Sequence, residues 1–422
     1  MNSDSMRHRY YELLQNFNYR QLWLSQLISE IGSQISRIAL ILFVYHLNQS
    51  ASAVAGLMLV QTVPVFVLGF FSGALLERFN LKRTMIVMDI LRFALVLLLP
   101  FVQNLGLIYA ISFGIAIGNL FFLPARDAFV PLLVGKSRLE LANSLIAMSV
   151  GLVLVIGPAI GGVLTASLGY ALAFFIDALT FLFSAAFIFR ISIPGKPEQF
   201  PQLGWKPIIT QIRQGFHYVR QSPLIAYLAN LVFFTMIAIG ILFPLLPEFN
   251  SRFLQGNDIT FGLISSAYGL GGLFGGPVGE YLANRFGHGK VVYYLLIVDS
   301  LIFIVFSLTP FLIPSLVLIA LWGINGFAWW VVYITLLQRI VEPQFRGRIF
   351  TLMHQLENAG MVIAYGIAMV GIQYLSAATL FLLAGITYLG IVLLSRYHRG
   401  FRRLVQLQFE GNIGGDENSG LE

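Results

Sequence analysis

Gly73-Ala74-Leu75-Leu76-Glu77-Arg78-Phe79-Asn80-Leu81-Lys82-Arg83 follows the second long apolar segment of this chain. An altered copy, Gly279-Glu280-Tyr281-Leu282-Ala283-Asn284-Arg285-Phe286-Gly287-His288-Gly289-Lys290, follows the eighth. The two Arg-Phe pairs are 207 residues apart (285 − 78), about half of the 422-residue chain. The apolar lead-ins also open alike, with Gly56-Leu57 and Gly262-Leu263. A charged loop recurring at the same place in two halves of an apolar chain predicts a duplicated membrane unit.

Composition agrees. The chain is 57% hydrophobic and 11% charged, against about 25% charged in soluble domains. Apolar stretches long enough to span a bilayer recur along its whole length. Twelve spans are predicted at 21–47, 52–76, 84–103, 106–130, 141–166, 169–190, 223–247, 259–283, 290–309, 312–338, 350–373 and 376–395. The first is too long for a signal-peptide core and reads as a retained helix. All 26 Lys and Arg except Arg37, Arg92 and Arg252 lie in, or at the edges of, the amino arm, the even-to-odd loops and the tail. Basic residues mark the cytoplasmic side, so both termini are expected there. That placement also turns the net charge of +7 away from nucleic acid as a partner and towards the lipid bilayer. The chain has no cysteine, which excludes disulfides and thiolate chemistry.

The expected organisation is all-α. A cytoplasmic arm (1–20) leads to a six-helix bundle (21–191). A Pro-containing cytoplasmic linker (192–222), with an amphipathic run from Ile208 to Val219, leads to a second, pseudo-symmetric six-helix bundle (223–396) and a polar tail (397–422).

This arrangement resembles the major facilitator superfamily. The first loop matches that family's signature at Gly73, Leu75, Arg78, Lys82 and Arg83, with Glu77 in place of Asp and Asn80 in place of Gly. Asn tolerates a left-handed turn better than most residues, so the second departure is expected to be mild. The later copy has Asn284 in place of the acid. Gly157-Pro158-Ala159-Ile160-Gly161-Gly162 is similar to the fifth-helix motif of antiporters and exporters in the family, although Val153 stands where the motif's leading Gly would be. Phe122-Leu123-Pro124-Ala125-Arg126, Asp177 to Ser184, and Leu337-Gln338-Arg339 with Arg346-Gly347-Arg348 are similar to the branch that holds macrolide efflux proteins, enterobactin exporters and lysophospholipid transporters. The resemblance implies alternating access in a bacterial inner membrane and export of a small molecule such as a drug or a siderophore, driven by protons.

The first span carries Gln26, Ser29, Glu30, Ser33, Gln34 and Arg37 at helical spacing. Lipid would exclude such a polar stripe, so it is expected to face the bundle interior or a watery cavity. Glu30 lies about 14 Å into its span at 1.5 Å per residue, where a lone charge costs about 2.5–3.5 kcal/mol on insertion scales. Glu30 is therefore a proton-coupling candidate, as is Asp299, also near mid-depth, and the branch resemblance implies a structural or general coupling role for Asp177; the bland reading of Glu30 is an ion pair with Arg37 or Arg92. Gln26, Ser33, Gln34 and Arg37, with the aromatic residues Phe233, Trp322, Trp329 and Tyr333, are candidates to line a substrate cavity, and ordinary packing is the alternative for the aromatics.

Asp89 and Arg92 are three apart and suit a local pair, or Asp89 bonds to the preceding loop. Asp299 follows Asp89 by 210 residues (299 − 89), close to the repeat offset. A conformational gate is expected from Gly73, Glu77, Arg78, Lys82, Arg83, Asp89, Arg92, Arg126, Arg285, Arg339, Arg346 and Arg348, against topology or snorkelling alone. Gly157, Pro158, Gly161 and Gly162 form the helix-five motif. No phosphate loop, hydrolase elbow or metal-ligand cluster stands out, so neither cofactor, metal nor enzyme activity is expected. His354 with Glu357 is too little for a metal site. The reading is a monomeric secondary transporter of small amphiphiles. A lysophospholipid flippase of the same fold and a non-transporting membrane sensor are the alternatives.

Overall fold

A computed structural model describes residues 3–76, 79–192 and 205–406. Glu77, Arg78, most of the Pro-containing linker and the end of the tail lie outside these residues. The described chain forms α1 (Ser3–Gln15), α2 (Phe17–Asn48), α3 (Ala51–Leu76), α4 (Leu81–Leu98), α5 (Leu105–Val134), α6 (Leu139–Leu168), α7 (Tyr170–Phe189), α8 (Trp205–Gln221), α9 (Pro223–Glu248), α10 (Asp258–Phe286), α11 (His288–Ser307), α12 (Leu312–Ile340), α13 (Arg346–Gly371), α14 (Ala377–Ser395) and α15 (Arg399–Gln406). An all-helical build satisfies every backbone group locally, which a membrane interior demands.

Polar side chains set where several helices start. Asn16, Asn104, Ser222, Asn257 and Ser376 each accept a hydrogen bond from a backbone N–H three residues on. Asn80 caps α4 in the same way, accepting from Arg83 N at 3.0 Å. Its φ is −70°, so no left-handed turn occurs there and the sequence-based reason for tolerating Asn is corrected. The repeat-equivalent Gly287 (80 + 207) does take a positive φ, 88°, as it ends α10. The two copies thus solve the same turn by different means, a side-chain cap and a glycine backbone.

Eleven helices among the described residues are long and apolar enough to cross a membrane. The twelfth expected span is α13. It is 26 residues long, but Arg346, Arg348, His354 and Glu357 dilute its first half. It still packs as a full member of the carboxyl-terminal bundle. In the amino-terminal bundle α2 packs on α6 and α7, α3 on α5, and α4 on α5 and α7; in the carboxyl-terminal one α9 packs on α13 and α14, α10 on α12, and α11 on α12 and α14. The order of pairing is the same in both. The bundles meet chiefly along α3 against α13 and α6 against α10.

α1 docks on α2 and α6, burying Leu13, and Tyr10 Oη lies 3.0 Å from Ser144 Oγ. α15 packs on α9 and α11 and buries Leu404. The amphipathic run belongs to α8, which contacts α13, α3 and α9. We call the end bearing α1, α8 and α15 the basic end. Large apolar side chains such as Phe183, Leu301, Val317 and Ile367 remain exposed on the outside, as lipid-facing residues should.

Candidate functional site

The helix-five motif explains how the bundles approach each other. A Cβ built on Gly162 of α6 would lie 2.7 Å from Asp258 O and 2.9 Å from Gly262 Cα of α10. Gly157 and Gly161 instead meet α2, at Gln34 and Ile35. Small residues let backbones touch where side chains would hold them apart.

That contact lies towards the end opposite the basic one, and polar bonds tie the bundles together there. His46 Nε2 of α2 is 2.8 Å from Asp258 Oδ1 of α10, and Tyr170 Oη of α7 donates to Asp258 Oδ2 at 3.1 Å. Ala51 N donates to Glu248 Oε2 at 3.3 Å, and Ser52 Oγ to Met369 O at 2.9 Å. Sequence reasoning overlooked this latch. The available signal was the scarcity of charge on that side, which makes Asp258 and Glu248 conspicuous.

At the basic end Lys82, Arg126, Arg285 and Arg346 make polar bonds within their own bundles. Lys82 Nζ donates to Phe189 O at 2.8 Å and Ile191 O at 2.6 Å, closing the last turn of α7. Arg126 bonds Asp127 Oδ1 at 2.8 and 2.9 Å and Gln26 Oε1 at 3.3 Å. It lies inside α5, which runs past the expected span. Arg285 donates to Tyr281 Oη and Arg346 to Val341 O. Arg348 lies over Phe345, and Arg83 is exposed. Arg339 borders a groove with Gln338, Arg346 and Phe350. Gly73 belongs to α3.

Asp89 and Arg92 make the local pair that their spacing suits. They form an ion pair inside the amino-terminal bundle, both buried. Ser184 Oγ donates to Asp89 Oδ2 at 2.7 Å, and Arg92 Nη1 to Asn119 Oδ1 at 2.8 Å. The guanidinium sits 4.2 Å from the ring centroid of Phe122 and 4.4 Å from that of Phe181. Asp177 accepts from Ser33 at 3.3 Å and Thr180 at 3.4 Å. In the other bundle Asp299 accepts from Asn325 at 3.1 Å and Tyr388 at 3.4 Å. At the repeat offset of 207 Asp299 corresponds to Arg92 (92 + 207), and Tyr388 to Phe181 (181 + 207). The partner of Asp299 in the repeat is therefore a cation, and the apparent match to Asp89 is corrected.

Glu30 makes no ion pair among the described residues; it accepts from Gln34 Nε2 at 2.9 Å and faces a small cleft with Trp23, Gln26 and Arg126. Arg37 is exposed, within electrostatic reach of Tyr268 and Tyr365 of the other bundle.

A cavity of about 520 Å³ lies between α3, α5, α12 and α13, at the seam of the bundles. Its wall includes Val65, Leu120, Leu123, Trp330, Ile334, Leu337 and Phe350, with Asn119, Thr351, His354, Gln355 and Glu357 as polar members. Its size falls in the range for drug-sized ligands. Trp322, Trp329 and Tyr333, expected in such a wall, are buried in the carboxyl-terminal core, where Trp329 stacks on Tyr333 at 4.9 Å. Phe233 is half-buried beside Phe234. One helical step turns a side chain by about 100°, which puts Trp330 rather than Trp329 on the cavity.

A family model described as transmembrane secretion effector matches residues 11–399. Macrolide efflux protein A of Streptococcus pyogenes is 24% identical over 398 residues, covering 91% of this chain and 96% of that protein. A Bacillus amyloliquefaciens protein described as a bacilysin exporter is 26% identical over 368 residues, covering 84% and 88%. The inward-facing crystal structure of a bacterial homologue of the iron transporter ferroportin superposes with a TM-score of 0.69 at 17% identity, covering 94% of this chain and all of that one; it shows the shared fold.

Proposed function

This chain belongs to the transmembrane secretion effector family of major facilitator transporters, and from that premise we propose that it is a proton-coupled exporter of small amphiphilic compounds. It is a multi-pass membrane transporter, not an enzyme. In this reading it sits as a monomer in a bacterial inner membrane, with the basic end and both termini in the cytoplasm.

One observation carries the proposal. The bundles are bonded across the seam at the end opposite the basic one, through His46, Asp258 and Tyr170. Lys82, Arg126, Arg285 and Arg346 make their polar bonds within their own bundles. Closure at one end and a cavity at the seam describe a carrier ready to load from the cytoplasm. Rocking of the bundles would open the latch and bring the basic loops, including Gly73, Glu77 and Arg78, into new pairings. A proton entering from outside would neutralise Glu30 or Asp299 and loosen the substrate; its loss to the cytoplasm would reset the carrier. Glu30 is the better first acceptor, because it faces a cleft, whereas Asp177 and Asp299 are buried among hydrogen-bond donors.

Everted vesicles from an exporter-deficient host, tested with macrolides, dyes and catechol siderophores, give the assay. Glu30→Gln at normal expression is expected to uncouple uptake from an imposed pH gradient. Unchanged uptake in that variant, with no effect of a protonophore on either protein, would show that proton coupling through Glu30 is wrong.

A further inference from the structure

We propose that Glu357, in a cavity wall that also holds Gln355, forms a cation subsite that selects lipophilic ligands carrying a positive charge. This rests on the exporter reading and names its substrate class. The cavity wall is mainly apolar, and among the described residues no Lys or Arg belongs to it. Glu357 is set into that wall with its side chain only 12% exposed. Its ionic partner among the described residues is His354, with Nδ1 3.2 Å from Oε2, a ring that is charged only when protonated and is itself 62% exposed. Gln355 is buried, and its Oε1 has no hydrogen-bond partner among the described residues.

A carboxylate withdrawn from water and lacking a fixed cation has lost hydration that a ligand cation can replace. The apolar surroundings strengthen that attraction. The Glu357 carboxylate and Gln355 Oε1 are both acceptors in this wall, which favours a cation over an anion. Trp330 adds a ring face in the same cavity, and cations favour such faces. Arg339 and Arg346 line the adjoining groove at the basic end, outside this wall. An anionic ligand would be drawn to that groove rather than to Glu357.

The repeat supports a dedicated role. The position equivalent to Glu357 is Val150 (357 − 207), which lines the cleft of the amino-terminal bundle. Both bundles turn this position towards a cavity, and only one places a charge there. The acid is therefore not a requirement of the shared helix packing.

Binding to the purified full-length protein in lipid nanodiscs tests the proposal, using tetraphenylphosphonium, neutral triphenylphosphine oxide and anionic tetraphenylborate. Wild-type protein is expected to prefer tetraphenylphosphonium. Glu357→Gln is expected to weaken its binding by roughly tenfold to a hundredfold, from loss of the charge attraction across an apolar wall, and to affect the neutral probe far less. Equal wild-type affinity for the cation and the neutral probe would overturn the proposal with no variant needed. So would unchanged tetraphenylphosphonium binding by a folded Glu357→Gln protein. The exporter reading fails separately: proteoliposomes that move no compound under a pH gradient would reject it, while Glu357-dependent binding of the cation would still support the subsite.

Discussion

Replacing Asp258 by Asn probes the latch with almost no change in shape. The carboxylate faces His46 at 2.8 Å and receives the Tyr170 hydroxyl at 3.1 Å. The His46 and Asp258 side chains are 39% and 15% exposed, and His46 carries a charge only when protonated, both of which discount the charge attraction. Asn keeps an acceptor for Tyr170 but removes the ionic part of both contacts. The expected loss is about 1–2 kcal/mol of preference for the closed latch, a roughly 5- to 30-fold shift in the conformational equilibrium. The chain contains no cysteine, so a single thiol introduced at Thr62 of α3 would be its only one. Labelling by a membrane-impermeant maleimide from the side of the latch should accelerate by a similar factor in Asp258→Asn, and His46→Gln should give part of the effect. An unchanged labelling rate in folded protein would refute the latch, because the charge would then have no bearing on which end is open.

Two other perturbations read different parts of the molecule. Asp89→Ala leaves the Arg92 guanidinium buried without its counter-ion and should cost about 3–5 kcal/mol, seen as a lower melting temperature in detergent; an unchanged melting temperature would contradict the pairing. Gly162→Val forces a side chain between α6 and the backbone of α10 and should cost about 1–3 kcal/mol. Its signature would be faster labelling at Thr62 as well as reduced thermal stability, and normal values of both would show that the close approach is dispensable.

The polar stripe on α2 was legible because helical spacing groups Gln26, Glu30, Ser33, Gln34 and Arg37 before any neighbour is known. Their partners were not legible. Ser33 turns to Asp177 and Gln34 to Glu30, while Gly157 packs beside Gln34. The aromatic candidates failed for a related reason. Trp329 and Trp330 are equally aromatic in sequence, and only the rotation of α12 decides which one meets the cavity. The repeat offset was also available in the sequence, as the 207-residue spacing of the Arg-Phe pairs. Applied strictly it leads from Arg92 to Asp299; the two acids at 210 residues merely look alike.

The sequence by itself determined the membrane class, the duplication and the side on which positive charge collects. Those depend on composition and on periods along one chain, and lipid imposes them on each helix separately. The order of helix pairing, the buried Asp89–Arg92 pair, the His46–Asp258 latch and the place of Glu357 in the cavity were decided only by the tertiary structure. Each depends on side chains from helices far apart in sequence meeting at a few ångströms. A buried charge must find its partner somewhere, but linear spacing does not say on which neighbouring helix that partner stands.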